Sequence, residues 1–214
     1  MDENLKLFGN KKKNDWIALR NYIIIDSNIK KNWEDVVELL NLRLETRYFK
    51  PIEAIQNIKS YQGEGFAAIT LLCSLIEFLQ SSYEGKYYLY GVQETEFIYS
   101  RSKNIFKRFL TSHYPFLELF DEAKAHEFYE SIRCGLLHEA ATKDNWKINL
   151  RSNNEFIDFE SKTLYTNNFI KAIREYISSY EQQIINDENG LRFKLARKMD
   201  SLSGTTIDTD APWW

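Results

Sequence analysis

Three histidines, His113, His126 and His138, are the side chains here whose ordinary pKa lies close to neutrality. One of them shares a short stretch with a fixed cation. Ser131-Ile-Arg-Cys-Gly-Leu-Leu-His-Glu-Ala140 places Arg133 and His138 five residues apart, with Gly135 between them. An imidazole takes up and releases protons near pH 7, and a guanidinium offers a forked set of donors to an oxyanion. The pair would suit proton transfer beside an anionic group. His113, before Tyr114-Pro115, reads as a helix-end residue, and His126 as part of an exposed helical face. The chain carries no P-loop, GxGxxG, HExxH or GxSxG pattern. Cys73 and Cys134 form no CxxC or Cys/His zinc pattern and no disulfide framework, so no metal or cofactor is expected. Cys73 reads as core. Cys134 reads as a thiol made more acidic by the neighbouring arginine.

Five steps along a straight helix turn a side chain through roughly 140°, so Arg133 and His138 would flank the Ile132/Leu136 stripe from opposite sides. To converge, the helix must change pitch near Gly135, or a second copy must complete the pair across a two-fold axis. A glycine inside a helix costs about 1 kcal/mol relative to alanine, which points to a close approach by another backbone or by a ligand. The residues also admit a plainer reading. His138 would sit at a helix C-terminus, where partial protonation is mildly favourable, and Arg133 would pair with Glu130 or Glu139 on the surface.

The elements that must position these residues read as helices. With 43% hydrophobic and 28% charged residues, the 214-residue chain has an ordinary globular balance. Only 8 Gly and 3 Pro argue against a turn-dense all-β fold. A net charge of −3 excludes an overall basic nucleic-acid coat and leaves room for a local basic patch. After a flexible first ten residues, helical spacing begins at Asn14. It resumes with Trp33, Val36, Val37, Leu40 and Leu44, and Pro51 opens a short helix to Ile58.

Phe66 to Tyr83 reads as the central helix. Its apolar run to Leu79 is too short to span a bilayer and contains Glu77. Ala67, Thr70, Ser74, Glu77 and Ser81 fall on one stripe of it, as a close helix contact requires, or, at Glu77, a polar site or two-fold interface. Gln93 to Ser112 reads as a helix whose Arg101, Lys103, Lys107 and Arg108 form either a solvated face or a phosphate contact surface. Asp121 to Ala140 is an amphipathic helix. Trp146–Leu150 and Phe156–Phe159 form a hairpin about a Ser152-Asn153-Asn154 turn. Asn167 to Ile185 closes the domain. A basic helical piece at Leu191–Met199 and a loose tail ending Pro-Trp-Trp follow, and those two tryptophans are able to dock on a surface.

Arg133 to His138 resembles the R-x4-6-H signature of the HEPN (higher eukaryotes and prokaryotes nucleotide-binding) superfamily. The string Ile-Arg-Cys-Gly-Leu-Leu-His-Glu, followed by Thr-Lys-x-x-Trp-Lys-Ile and a small hairpin, looks like that of bacterial HEPN proteins. The resemblance covers roughly Gly65 to Ile185. It implies a mainly α, HEPN-like helical bundle with a β-hairpin after the motif helix. The expected organisation is an N-terminal helical extension (1–62), the HEPN-like domain (63–188), and a basic helical piece with a flexible tail (189–214).

The resemblance further implies a homodimer and metal-independent cleavage of RNA, with Arg133 and His138 as catalytic residues meeting at the interface. The RNA 2′-hydroxyl is then the nucleophile, the two copies of His138 share the base and acid roles, and Arg133 steadies the charged phosphorane. Glu77, Cys134 and Glu139 would support them. Lys143, Arg151, Arg101, Lys107 and Arg108 would hold flanking phosphates. The products would be a 2′,3′-cyclic phosphate and a 5′-hydroxyl, formed in EDTA. One departure stands out: catalytic members often carry Asn, Asp or His directly after the arginine, where this chain has Cys134, a weak hydrogen-bond donor. The implied role is a toxin or phage-defence effector in the cytoplasm, with an antitoxin or defence-system partner protein and no membrane association. The alternatives are a non-catalytic HEPN module that binds nucleotide, RNA or a partner protein, and a scaffold whose N-terminal helices and Trp-Trp tail dock other proteins. A polar, Lys-rich Met1–Lys13 shows no secretory signal.

Overall fold

The computed structural model describes residues 5–60, 62–151, 154–205 and 210–214. The chain is mainly α-helical, as its patterning predicts. In order it runs β1 (Lys6–Phe8), β2 (Lys11–Lys12), α1 (Lys13–Ile25), α2 (Lys30–Leu44), α3 (Lys50–Gln56), α4 (Glu64–Glu84), β3 (Tyr87–Tyr88) and β4 (Ile98–Tyr99). It continues through α5 (Ser102–Ser112), α6 (Glu122–Glu127), α7 (Gly135–Glu139), β5 (Lys147–Asn149), β6 (Ile157–Asp158), β7 (Thr163–Tyr165), α8 (Thr166–Ile185) and α9 (Leu191–Ser203).

The chain forms two compact units. The first comprises Met1–Lys50, Ser81–Ser100 and Tyr180–Trp214, and the second Pro51–Gln80 and Arg101–Ser179. This division interleaves segments from all three regions expected from sequence and does not follow boundaries at 62 and 188.

In the first unit, β1 and β2 pair as an antiparallel hairpin with Leu7 and Phe8 buried, so residues 6–10 are not the flexible start expected from sequence; residues 1–4 of that stretch lie outside the described residues. Trp16, Trp33 and Leu40 supply much of its core. The fully buried Asp200 of α9 accepts hydrogen bonds from Trp16 Nε1 and Arg20 Nε at 2.9 Å each. It also accepts from Trp213 Nε1 at 2.8 Å and Trp214 Nε1 at 2.9 Å. Residues 210–214 are therefore not a loose tail, and the indole N–H groups of both tryptophans are engaged by the chain's own carboxylate. The α9 helix is equally committed: Arg192 Nε donates to the Ile184 carbonyl at 3.0 Å, and Lys198 Nζ donates to Ser81 Oγ at 2.7 Å.

In the second unit, Phe106, Phe109, Phe116, Phe128 and Phe169 form a fully buried aromatic core. The small sheet differs from the expected hairpin. Strands β5 and β6 do not pair with each other. Both pair with β7, β5 in parallel and β6 antiparallel, giving the order β5-β7-β6. The expected turn at residues 152–153 lies outside the described residues. The helix expected from Gln93 begins only at Ser102. Upstream, Thr95 Oγ1 accepts the backbone N–H groups of Phe97 and Ile98, and Glu94 that of Ser100, so side chains compete for donors a helix would use.

Two helical runs contain wider π-helical turns. Residues 45–49 join α2 to α3 without a break, so Pro51 sits inside a helix and does not open one. Proline lacks an N–H and its ring clashes with the carbonyl four residues earlier. The widened turn, in which the Lys50 N–H bonds to the Glu45 carbonyl, accommodates this. The second widened stretch, Phe128–Cys134, links α6 to α7 and carries Arg133. With 21 residues, α4 is long and apolar enough to cross a membrane by length and composition alone, and 61% of its most apolar window is buried within the chain, as in the core helix of a folded protein.

Candidate functional site

The pitch of the motif helix does change beside Gly135. On the widened stretch, the half-buried Arg133 side chain turns toward α4: its Nη2 lies 3.7 Å from Glu77 Oε2. That is an ion pair rather than a hydrogen bond. The guanidinium also sits over the Tyr129 ring, 5.2 Å from its centroid, a cation–π contact within one helical turn. Glu77 is itself held by Ser102 Oγ, which donates to Oε1 at 2.8 Å. Neither Glu130 nor Glu139 is the partner of Arg133.

Burial pushes the Tyr129 phenol up to about 12, with Arg133 opposing and Cys134, which is hydrogen-bonded to it, adding to the rise. The phenol stays neutral and brings no competing anion to the arginine. Burial likewise pushes the Cys73 thiol up to about 12 despite Arg133 nearby, in keeping with a core role. Cys134 is half-buried. Among the described residues, no three His, Cys, Asp or Glu side chains group as metal ligands.

Gly135 is explained by the chain's own backbone. A Cβ there would lie 2.5 Å from the Ala141 carbonyl oxygen. The helix ends at Ala140 in the left-handed conformation, with φ 52°. The following turn then folds back, with the Lys143 N–H donating to the Ser131 carbonyl at 2.8 Å and Ser131 Oγ donating to Asp144 at 2.5 Å. Of the two explanations open in the sequence, backbone approach accounts for the glycine.

His138 lies in the last turn of α7, exposed, and makes no hydrogen bond or ion pair with any described residue. The structure does not bring it against Arg133 within one chain. Glu139 is exposed as well. On α4, Ala67 and Ser74 are exposed, Thr70 is half-buried and Ser81 is buried. Ala67 and Ser74, two of the four small residues on the stripe of Glu77, are therefore not used for packing within the chain.

The proposed RNA contacts separate into two groups. Lys143 and Arg151 are exposed, as is Arg101, while Arg108 is half-buried. Lys107 is paired with Glu122 at 2.5 Å, and Lys103 with Glu130 at 2.7 Å. The face without acids in its own sequence is thus partly neutralised by acids of a neighbouring element. His113 is buried and bonded to Gln80 Oε1 at 2.8 Å, whereas His126 is exposed.

Sequence reasoning missed Tyr129 and Ser102 as parts of this region, and named Glu130 only as a surface partner of Arg133, where the structure pairs it with Lys103. The signal for Tyr129 was available, since it lies one turn before Arg133 on the same helix. The contacts of Ser102 and Glu130 are made between helices far apart in the chain and have no local signature. Comparison of the chain with protein-family models, curated proteins and solved structures finds no match to any of them.

Proposed function

We propose that the chain is a metal-independent endoribonuclease of HEPN type, acting as a homodimer in which Arg133 and His138 of both copies line one cleft. The observation that carries this reading is the contrast between the two motif residues. Arg133 is oriented in advance by Glu77 and the Tyr129 ring, whereas His138 faces solvent without a partner among the described residues. A fixed anion receptor and an unengaged imidazole make half a site. A second copy packed near the exposed Ala67 and Ser74 would supply the other half.

In the composite cleft one His138 takes the proton of the RNA 2′-hydroxyl. The 2′-oxygen then bonds to phosphorus, and the bond from phosphorus to the 5′-oxygen breaks. The other His138, protonated at the outset, gives its proton to that oxygen. Arg133 stays cationic throughout and donates to the non-bridging oxygens as charge builds on the phosphorane. The motif resemblance supports a toxin or phage-defence role. Cys134 beside Arg133 favours the alternative, a non-catalytic HEPN module, because a thiol donates weakly.

The test is cleavage of a mixed RNA pool in EDTA by the parent, Arg133→Ala and His138→Ala, with the product ends analysed. The expected result is cyclic-phosphate ends from the parent and a loss of about 10²–10⁴-fold in His138→Ala. A parent that binds RNA without cutting it would favour the binding module.

A further inference from the structure

Glu130, three residues before Arg133 on the motif helix, lies beside Lys103 and His126. Its Oε1 is 2.7 Å from Lys103 Nζ and 3.9 Å from His126 Nδ1. Lys103 comes first among the groups that hold the Glu130 carboxyl below the usual range, followed by His126 and Lys143. All of them belong to the second unit, and the side chains of Lys103, His126 and Glu130 are 40%, 51% and 48% exposed, so solvent and solutes reach them. The cluster is joined to the motif through one ring. Lys103 Nζ lies 5.9 Å from the Tyr129 centroid, and Arg133 is 5.2 Å from the same centroid. The two cations are therefore no farther apart than the sum of those distances, a spacing that neighbouring phosphates of one strand can bridge. Ser102, next to Lys103, is bonded to the same Glu77 that orients Arg133.

We propose that Lys103 and His126 form a second phosphate site beside Arg133, and that Glu130 is the internal carboxylate which a backbone phosphate of single-stranded RNA displaces. The proposal rests on the ribonuclease reading for its ligand. It adds Lys103 and His126, which the motif does not mark, and gives Glu130 a gating role. Glu130 engages Lys103 when no strand is bound, and a strand displaces it because its neighbouring phosphate reaches Arg133 at the same time. A loss of the Lys103–Glu130 pair on binding is cheap, because an exposed ion pair contributes little.

The experiment is fluorescence anisotropy with a 2′-O-methyl oligonucleotide, which cannot be cut, across a salt series. Parent, Lys103→Gln and Glu130→Gln are compared, and cleavage of unmodified RNA is followed in parallel. Glu130→Gln is expected to tighten binding about two- to fivefold, the range set by an exposed ion pair. Lys103→Gln is expected to weaken binding and to make the slope of log K against log salt shallower by about 0.7, one phosphate contact on a single strand. Unchanged affinity and slope in both variants, weaker binding by Glu130→Gln, or no binding by the parent would overturn the proposal. Binding that responds as expected without any cleavage would leave the phosphate site standing and remove the ribonuclease reading. Cleavage and binding indifferent to both substitutions would do the reverse.

Discussion

Gly135→Ala separates two opposed effects at the centre of the motif. By helix propensity alone, alanine at this position stabilises by about 1 kcal/mol. The structure gives the opposite sign. The new methyl would meet the Ala141 carbonyl oxygen at 2.5 Å, inside the 3.0 Å below which real Cβ contacts essentially do not occur. That carbonyl cannot move alone. Its turn is tied down by the Lys143 N–H to Ser131 bond at 2.8 Å and by Thr142 Oγ1, which donates to the Trp146 carbonyl at 2.6 Å. Overpacking of this kind costs about 1–3 kcal/mol, and a broken turn hydrogen bond adds about 1 kcal/mol. After the propensity gain, the net loss is about 2 kcal/mol. For a chain of this size that lowers Tm by about 4–8 °C. Circular dichroism melting measures it. Gly63→Ala serves as the control, since nothing lies within 4 Å of a Cβ there. A Gly135→Ala protein that melts at or above the parent temperature would refute the backbone-approach argument.

Two further outcomes are expected. Asp200→Ala removes the buried carboxylate that Arg20 and three indole N–H groups share; it should cost about 3–5 kcal/mol in urea unfolding, and a loss below 1 kcal/mol would contradict the clasp. Glu130 should titrate below the ordinary carboxylate range by NMR, chiefly through its hydrogen bond from Lys103, and should return toward that range in Lys103→Ala. Because its folded pKa is depressed, whatever stability it adds is present above the unfolded pKa and lost as pH falls through the folded one. A titration unaffected by Lys103→Ala would dissolve the pair.

The helices were legible where one face is apolar at regular spacing, as in α2 with Trp33, Val36, Val37, Leu40 and Leu44, and in α8. Periodicity failed where something else set the backbone. Thr95 and Glu94 capture local N–H groups and delay α5. Pro51 is tolerated inside a helix because a widened turn precedes it. Strand β7 is only Thr-Leu-Tyr, too short for alternation to register, yet it organises the sheet.

At the site, the motif pair and Glu77 could be named from residue types and spacing. The near neighbours of Arg133 could not all be named, because Ser102 and Glu77 meet across 25 positions of sequence. The Trp-Trp ending shows the same limit. Its composition reads as loose, while its fate depends on a buried carboxylate on α9 that no local pattern announces.

The most direct measurement is the mass of the species that cuts RNA, obtained by assaying fractions from sedimentation or size separation with in-line mass determination. A composite cleft built from two copies predicts activity at twice the 25.4 kDa chain mass, falling away as dilution yields the single chain. Activity that resides in the 25.4 kDa species, at undiminished specific rate, would contradict it.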